Sequence, residues 1–315
     1  MGFEALLGNE RLRENLRAAL SRGHISHCYL ITGPRGSGKH TLARLLAAGI
    51  LCRERGRPCM GCAACRKALA GNHPDFITVE DPEHKNVAVK VVRQYREDVY
   101  IRPNEADYKI YLFPQELGLE GQNALLKILE EPPSYGVFIL LSDNPEKLLP
   151  TVRSRCTELK LTALPENLLR RQLRQDNPRI SDEDLDAVLD RSGGYLGQAR
   201  EILEQDSSLP PQTESFVRCF SQRDSLGLVQ TLVPMEKWKR EALVEILSSW
   251  RVLLGEALAC RSGGRKAGTL ARQLAGSRGS QELMDAVKVL SKAVQYLMSN
   301  VSTAAVCGWL QWALR

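Results

Sequence analysis

Apolar and polar positions along the chain follow two patterns, and the change from one to the other falls near residue 161. Before that point, short apolar runs of strand length are separated by segments with helical periodicity. This order predicts a parallel sheet covered by helices. The predicted strands are CYLIT (28–32), DFITVE (75–80), KIYLFP (109–114), GVFILLS (136–142) and CTELKL (156–161).

Helices are predicted between these strands, and proline marks the end of one of them. The helix at 120–131 should stop at Pro132 and Pro133, because proline lacks the backbone N–H and its ring clashes inside a helix. The predicted helices of this half are KHTLARLLAAGILC (39–52), VKVVRQYREDVYI (89–101) and EGQNALLKILEE (120–131).

After residue 161 the strand pattern stops and helical periodicity continues. A linker is predicted at 206–212, and the basic segment 261–279 is expected to be a flexible, solvated loop rather than a DNA contact. The predicted helices are at 163–175, 181–192, 196–205, 235–260 and 280–300. The predicted fold class is therefore α/β plus all-α, with domains at 1–161, 162–208 and 209–315.

Composition agrees with a soluble globular protein: the 315 residues are 43% hydrophobic and 25% charged. The 43 Lys and Arg against 37 Asp and Glu give a net charge of +6, too mild to indicate a dedicated DNA-binding domain. No apolar run is long enough to cross a bilayer, and the N-terminus MGFEALLGNERLRENL is amphipathic and unlike a secretion signal. We therefore expect a cytoplasmic protein without a membrane partner.

A glycine-rich segment, GPRGSGKHTLA (33–43), joins the first predicted strand to the first predicted helix. It nearly matches the phosphate-binding loop G-x-x-x-x-G-K-[ST], in which backbone N–H groups converge on an anion. The candidate phosphate-binding residues are Gly33, Gly36, Gly38 and Lys39. His40, however, stands where the motif has a hydroxyl, and imidazole is a poor ligand for magnesium. Thr41 should point away from the loop.

Hydrolysis also needs acidic residues at the end of a neighbouring strand, to hold the metal and to position water. The best candidate strand, KIYLF, runs into Pro114 and Gln115 instead of an acidic pair, and Glu116 is displaced by two residues from the metal position. We therefore predict no ATP hydrolysis by this chain, while binding of ATP or ADP through Gly36, Gly38 and Lys39 stays open.

Four of the nine cysteines lie close together in the sequence. They are Cys52, Cys59, Cys62 and Cys65. Four thiolates in one short segment are typical of a structural zinc site. Iron–sulfur clusters also use C-x2-C-x2-C, but the C-x3-C-P continuation is missing. Zinc is therefore favoured over an iron–sulfur cluster, and metal over free thiols.

The order of these motifs resembles a known family. HISHCYLITGPRGSGKHTLARLLA, the cysteine cluster, HPDFITVE, NALLKILEEPP and TVRSRC occur in the order found in bacterial clamp-loader subunits of the AAA+ class, and the chain is similar to their delta-prime group. The resemblance is dense over the first 200 residues. It implies an AAA+ type sheet domain, a three-helix lid and a helical collar domain.

The resemblance also implies a function and partners. Delta-prime subunits are non-hydrolysing members of a pentameric ring that contains motor subunits of the gamma/tau type and a delta-type subunit. The ring loads the sliding clamp onto primed DNA during replication. The expected partners are therefore these subunits and, through the complex, the clamp and DNA.

Within the family, a Ser-Arg-Cys motif supplies an arginine finger to the ATP site of the neighbouring subunit. The matching residues are Ser154, Arg155 and Cys156, whereas Arg153 is expected to be a solvated loop charge. The lid arginine of the motor subunits is replaced by Gly197, with Arg200 one helical turn later. Asp143 occupies the sensor position, where a carboxylate would repel a γ-phosphate.

Two alternative functions remain open. The first is an active motor-type clamp-loader ATPase that tolerates His40, and the second is a zinc-stabilised nucleotide-binding module without a ring partner. The missing acidic pair disfavours the first alternative. The Ser-Arg-Cys motif and the helical C-terminal half disfavour the second.

Overall fold

The computed structural model describes residues 2–84, 86–207, 210–263, 267–299 and 301–314. Within these ranges, five strands form one parallel sheet in the order β2-β3-β4-β1-β5. The strands are β1 (Cys28–Thr32), β2 (Phe76–Thr78), β3 (Lys109–Phe113), β4 (Gly136–Ser142) and β5 (Thr157–Lys160). The predicted α/β class with a parallel sheet, followed by an all-α part, is confirmed.

The chain divides into two compact units, described here separately. The sheet unit contains the residues up to Leu169 together with Gly194–Gln198, and the helical unit contains Arg170–Gly193 and Ala199–Arg315. The predicted division into three domains at 161 and 208 stays a prediction. The helices of the first 165 residues are α1 (Glu10–Ser21), α2 (Lys39–Leu51), α3 (Ala63–Ala70), α4 (Val89–Asp98), α5 (Leu119–Glu130) and α6 (Pro150–Arg153).

Side chains of alternate strand residues point to opposite faces of the sheet, so each face has its own core. One face packs Ile31, Ile110 and Ile139 against α1, α2 and α3. The other packs Leu30, Tyr111 and Phe138 against α4, α5 and α6, with the Tyr111 and Phe138 rings stacked 5.6 Å apart. Burial on both faces explains why β1, β3 and β4 are mainly apolar along their whole length, whereas β5, the last strand in the sheet order, is polar and largely exposed.

In the helical unit, Trp250 is at the centre of a core formed by residues from 216 to 314. Its ring stacks on Phe216 at 4.2 Å, and its indole N–H donates to Thr213 Oγ1 at 3.0 Å, so the polar atom is satisfied. The remaining helices are α7 (Glu166–Asp176), α8 (Asp182–Arg191), α9 (Leu196–Ser207), α10 (Pro211–Gln222), α11 (Ser225–Leu232), α12 (Arg240–Arg261), α13 (Thr269–Ser277), α14 (Ser280–Met298) and α15 (Thr303–Ala313).

Two predicted irregular segments are wrong in part. The linker expected at 206–212 is mostly helical, because α9 continues to Ser207 and α10 begins at Pro211, where proline fits the first helical position. Residues 208 and 209 lie outside the described residues. α3 begins at Ala63, inside the cysteine cluster, and was not among the predicted helices.

The basic segment 261–279 is not a flexible loop over its whole length. It contains α13, whose Ala271 and Leu274 are fully buried in the helical core. Arg272 pairs with Asp184 at 2.8 Å and also with Glu183, and the buried Arg278 donates to the Phe220 carbonyl at 2.7 Å. These contacts use the basic side chains internally, although residues 264–266 lie outside the described part of the chain.

Among the residues that the structure describes, no helix combines the length and the apolar character required to span a bilayer.

Candidate functional site

The phosphate-loop sequence folds as the motif predicts. The backbone leaves β1 at Gly33, curls through Gly36 and Gly38 with φ of 75° and 96°, and enters α2 at Lys39. Both glycine conformations lie in the left-handed region, which other residues reach only with strain. The loop therefore places backbone N–H groups at the start of a helix, as an anion site requires.

Lys39, the cation of the loop, is engaged by the protein itself. Its side chain is only 8% exposed, and Nζ lies 2.5 Å from Asp143 Oδ1. Nζ also donates to the carbonyls of Gly33 at 2.7 Å and Pro34 at 2.9 Å. Asp143 follows β4 directly, and β4 is the neighbour of β1, so the sheet itself brings the two charges together. The sequence placed both residues near a phosphate but did not indicate that they pair.

The segment Gly194–Gln198 closes over the loop. The Gly197 N–H donates to the Gly36 carbonyl at 2.9 Å, and a Cβ added at Gly197 would lie 2.6 Å from the Gly36 Cα. A side chain at position 197 therefore cannot fit without moving the loop. Glycine at this position, noted from the sequence only as a missing arginine, allows the close approach of the two backbones.

The end of β3 holds no acidic pair, and its polar residues have other partners. Gln115 Oε1 accepts from the Asp81 backbone N–H at 2.7 Å, and Nε2 donates to the carbonyls of Asp81 and His84 at 3.0 and 3.1 Å. Glu116 accepts from Lys147 Nζ at 2.9 Å. Gln115 thus fixes the segment at 81–84, and Glu116 forms a surface ion pair.

The two residues after Lys39 do not replace the missing hydroxyl. Thr41 is exposed at the surface of α2, in agreement with its expected direction. Partial burial, followed by the nearby charges of Lys39 and Arg44, lowers the pKa of the His40 imidazole. A neutral imidazole nitrogen is a poor ligand for magnesium, which prefers oxygen.

The four clustered cysteines come together as the sequence predicts. Cys52 follows α2, Cys62 caps α3 and Cys65 lies within α3, and the four sulfur atoms lie within 4.8 Å of one another. The sulfurs of Cys59 and Cys65 are 3.9 Å apart, as are those of Cys62 and Cys52. A tetrahedral zinc with bonds of about 2.3 Å requires sulfur–sulfur distances of about 3.8 Å. The residues present therefore fit a metal ion of this kind.

Backbone N–H groups support the thiolate form at this cluster. The Cys62 N–H points to Cys59 Sγ at 3.3 Å, and the Cys65 N–H points to Cys62 Sγ at 3.4 Å. The backbone N–H groups of Cys62 and then Gly61 lower the pKa of the Cys59 thiol to about 6. A thiolate is the form that binds metal, so the fold prepares this ligand.

Asp75, which the sequence indicated only as a strand residue, organises the segment beside the cysteine cluster. Its buried carboxylate accepts backbone N–H bonds from Asn104, Glu105 and Ala106 at 2.6 to 2.9 Å. The segment so held provides partners for basic residues of the cluster: Glu105 pairs with Lys67 and Asp107 with Arg53. The pattern His-Pro-Asp before a strand is the only sequence signal for this role.

Arg155 lies in the turn between α6 and β5 and is partly exposed. Its guanidinium donates to Glu130 Oε1 at 3.0 Å and to the Thr151 carbonyl at 2.9 Å, and 34% of the side chain is exposed. Exposed ion pairs of this type contribute about 0–1 kcal/mol. These contacts therefore orient the arginine, and little free energy is needed to break its ion pair.

The neighbours of Arg155 have local partners. Ser154 Oγ donates to the Thr151 carbonyl at 3.1 Å, and Cys156 Sγ lies 3.0 Å from Cys28 Sγ. Arg153 pairs with Glu146 at 3.0 Å on the surface, in agreement with its expected role as a solvated charge. In the helical unit, Arg200 pairs with Asp176 at 2.6 Å, so it has a structural partner of its own.

The phosphate loop and Arg155 lie at opposite ends of the parallel strands. The loop is at the carboxyl ends, which form the carboxyl edge of the sheet, and Arg155 is at the amino ends, which form the amino edge. All strands are parallel; Gly33 follows the end of β1, whereas Arg155 precedes β5. Tyr29 pairs with Thr157 and Thr32 with Lys160, so the two edges are separated by the strand length, about 13–16 Å at 3.3 Å per residue. Arg155 therefore cannot serve the phosphate loop of its own chain.

The parallel sheet with a phosphate-type loop after its first strand, followed along the chain by helices alone after β5, is an α/β fold of the phosphate-loop class. Residues 8–165, half of the chain, match the protein family described as DNA polymerase III, delta subunit. The chain therefore belongs to this family.

Comparison with individual proteins gives three similarities. DNA polymerase III subunit gamma of Buchnera aphidicola is 32% identical over 210 residues, which are 64% of this chain and 57% of that protein. Subunit tau of Escherichia coli is 31% identical over 274 residues, 81% of this chain and 42% of that protein. A solved gamma-subunit-related protein from Thermotoga maritima has a TM-score of 0.47 and 17% identity, over 96% of this chain and 99% of that chain. The chain thus spans about half the length of the two curated relatives.

Proposed function

We propose that this chain is a non-hydrolysing, delta-prime type subunit of the DNA polymerase III clamp loader, which supplies Arg155 to the ATP site of a neighbouring subunit. The observation that carries the proposal is the engagement of Lys39 by Asp143 and two loop carbonyls. A phosphate-loop lysine acts by placing a free charge against the β- and γ-phosphates. Here a γ-phosphate would have to displace a carboxylate that already holds that charge.

Two further features support a site without hydrolysis. Gln115 uses its amide to hold backbone groups of the segment 81–84, so it neither binds metal nor positions water. Gly197 approaches the loop by its backbone and brings no charge. Hydrolysis requires a metal ligand, an acidic residue and a cation near the γ-phosphate, and each of these parts is replaced.

The position of Arg155 supports action on a neighbouring subunit. It lies at the edge of the sheet remote from its own loop, and it is held by an exposed pair with Glu130 and by local hydrogen bonds to Thr151 and Ser154. An arginine supplied in trans stabilises the charge that develops on the γ-phosphate, by about three to five orders of magnitude in rate. The partners we propose are gamma/tau type and delta type subunits in a pentameric ring, with the sliding clamp and primed DNA bound through the complex, in the cytoplasm.

Zinc completes the proposal as a structural cofactor. Held by Cys52, Cys59, Cys62 and Cys65, it would tie the end of α2 to α3 and leave no position for water. Its chemistry in such a site is coordination alone. The cysteine side chains orient the two helices, and the Asp75-bound segment at 104–106 supports them.

One observation favours the alternative of an active motor-type ATPase. The relatives named above are called gamma and tau subunits of DNA polymerase III, and one of them matches over 81% of this chain. A motor-type chain would hydrolyse ATP alone or in the ring with a turnover in the range of working enzymes, on the order of 1 per second or more. The purified chain should instead show no ATPase activity above that of its Lys39→Ala variant.

The proposal is tested by Arg155→Ala in a loader reconstituted with gamma/tau and delta type subunits. We expect ring assembly and folding to be intact, with a large loss of ATPase activity stimulated by DNA and clamp and a matching loss of clamp loading. Arg153→Ala is the control, since it removes a partly exposed arginine two residues away that pairs with Glu146.

Each outcome separates the candidates. Normal ATPase activity and clamp loading with Arg155→Ala would show that Arg155 is only a surface charge. Equal losses with Arg153→Ala would indicate a general effect of charge. Failure of the unmodified chain to assemble with the other subunits would favour the zinc-stabilised module without a ring partner.

A further inference from the structure

Two further cysteines, which do not belong to the four-cysteine cluster, lie in close contact. The sulfur atoms of Cys28 and Cys156 are 3.0 Å apart, about 1 Å more than the length of a disulfide bond, which is about 2.05 Å. The two residues are 128 positions apart in the sequence, and sequence analysis gave neither of them a chemical partner. Neither thiol belongs to the cluster formed by Cys52 and its neighbours.

The backbone geometry of the sheet suits a covalent bond between these residues. β1 and β5 are neighbouring parallel strands in which Tyr29 pairs with Thr157, so Cys28 and Cys156 are the preceding residues at the same level. Neighbouring strands lie about 4.8 Å apart, inside the range of about 4.4–6.8 Å that disulfides span between Cα atoms. The bond needs a small rotation of two side chains rather than a movement of strands.

We propose that Cys28 and Cys156 are a redox-active pair, which a hydroperoxide such as hydrogen peroxide converts to a reversible intramolecular disulfide. The Cys156 thiolate attacks one peroxide oxygen, the O–O bond breaks, and the hydroxide released takes up the thiol proton to leave as water. The sulfenic acid formed on Cys156 is then attacked by the Cys28 sulfur, and a second water leaves. In sum, two thiols lose two electrons and two protons, and the peroxide is reduced to two waters.

The surroundings assign the order of these two steps. Cys28 is completely buried, whereas Cys156 is partly exposed and can meet the oxidant first. The hydrogen bond from Cys28 lowers the pKa of the Cys156 thiol, and the same bond followed by burial raises the pKa of Cys28. An accessible thiol of lowered pKa beside a resolving cysteine is the arrangement that redox-sensing sites use.

The disulfide would alter the turn that carries Arg155. Cys156 Sγ donates to the Val152 carbonyl at 3.1 Å, and this bond requires the S–H that oxidation removes. Oxidation would thus exchange a bond within the turn for a covalent tie to β1, one residue from Arg155. An effect of this change on ATP hydrolysis in the neighbouring subunit rests on the proposed function of Arg155, whereas formation of the disulfide does not.

The test is mass spectrometric mapping of the full-length, zinc-loaded chain. After treatment with hydrogen peroxide and alkylation of the remaining thiols, we expect a peptide that joins Cys28 to Cys156 with the loss of two hydrogen atoms. Treatment with dithiothreitol should remove it. Peroxide that oxidises only the cysteines of the metal cluster, or carries Cys156 to a sulfinic acid without the joined peptide, would overturn the inference.

Two variants test the order of the steps without depending on ATPase activity. Cys28→Ala should trap the sulfenic acid on Cys156, with labelling by dimedone about tenfold or more above that of the unmodified chain. Cys156→Ala should abolish the joined peptide, and Cys28 should then carry no dimedone label. Cys260→Ala removes a half-buried cysteine of the helical unit and should change neither result. Dimedone labelling of Cys28→Ala no higher than that of the unmodified chain would exclude Cys156 as the attacking thiol.

Discussion

The two edges of the sheet differ in how they use their charges. At the carboxyl edge, Lys39 is 8% exposed and has three partners at 2.5 to 2.9 Å, all from its own chain. At the amino edge, Arg155 is 34% exposed and is held by one carboxylate and one carbonyl. Lys39 is fully paired within its own chain, whereas Arg155 is at the surface and little free energy is needed to break its exposed ion pair.

This difference matters because open α/β sheets usually bind their ligands outside the carboxyl ends of the strands. In this chain that edge is closed by Asp143, Gln115 and Gly197, which bind side chains and backbone of the same unit. The cysteine cluster and the turn with Arg155 lie at the amino edge, because α2 ends at the cluster and the turn before β5 carries Arg155 and Cys156. Under the proposed function, the phosphate loop is kept for the fold while Arg155 acts at the opposite edge.

The largest effect is expected at the cysteine cluster of the amino edge. Removal of zinc by a chelator, or Cys62→Ser, should unfold α3 and strongly lower the melting temperature, since structural zinc binding is worth about 10 kcal/mol or more. The measurement is zinc content by elemental analysis together with thermal unfolding followed by circular dichroism. Cys260→Ser, a single cysteine outside the cluster, should leave both unchanged. A chain that purifies without zinc and melts at the same temperature with chelator would disprove the site.

At the carboxyl edge, Gln115→Ala should destabilise the protein by about 1–3 kcal/mol, because it leaves the partly buried Asp81 N–H without its acceptor and removes one donor each from the Asp81 and His84 carbonyls. Urea unfolding measures the change. The matched control is Gln281→Ala, since the Gln281 amide donates to the exposed Asp285 carboxylate on the surface of α14. Equal stability of the two variants would mean that the Gln115 amide does not stabilise the segment at 81–84.

Asp143→Asn should reopen the phosphate loop. Freed from its ion pair, Lys39 becomes available to an anion, so we expect about tenfold tighter binding of ADP or of a non-hydrolysable ATP analogue. Titration calorimetry measures the dissociation constant, and Glu146→Gln, three residues away, is the control. No hydrolysis should accompany the tighter binding, because the metal ligands are still missing. Unchanged affinity would show that Asp143 does not compete with nucleotide.

The smallest effect is expected from Glu130→Gln. The pair with Arg155 is exposed, so unfolding free energy should change by no more than about 0.5 kcal/mol. Release of the guanidinium should leave ATPase activity of the reconstituted loader unchanged or slightly higher. Loss of activity as large as that of Arg155→Ala would mean that Glu130 has a role of its own in positioning the arginine.

Several elements follow from local sequence and were predicted well. β1 and β4 have the predicted bounds, and α5 ends at Glu130, just before the two prolines. These predictions succeed because continuous apolar runs, glycine conformations and proline geometry act within a few residues. The prediction was wrong where short-range signals are misleading: α13 lies in a segment rich in glycine and arginine, and its helix is stabilised by burial of Ala271 and Leu274 rather than by propensity.

By itself, the sequence determined the five strands with α2, α4 and α5 between them, the glycine loop, the four-cysteine cluster and the absence of an acidic pair after β3. Each of these depends on residue type and spacing along the chain. Only the tertiary structure decided that Lys39 pairs with Asp143, that Gly197 meets Gly36 and that Cys28 touches Cys156. These contacts join residues 104, 161 and 128 positions apart, because parallel strands bring distant segments to one edge of the sheet. Spacing along the chain does not encode which edge residues meet, whereas strand order and register do.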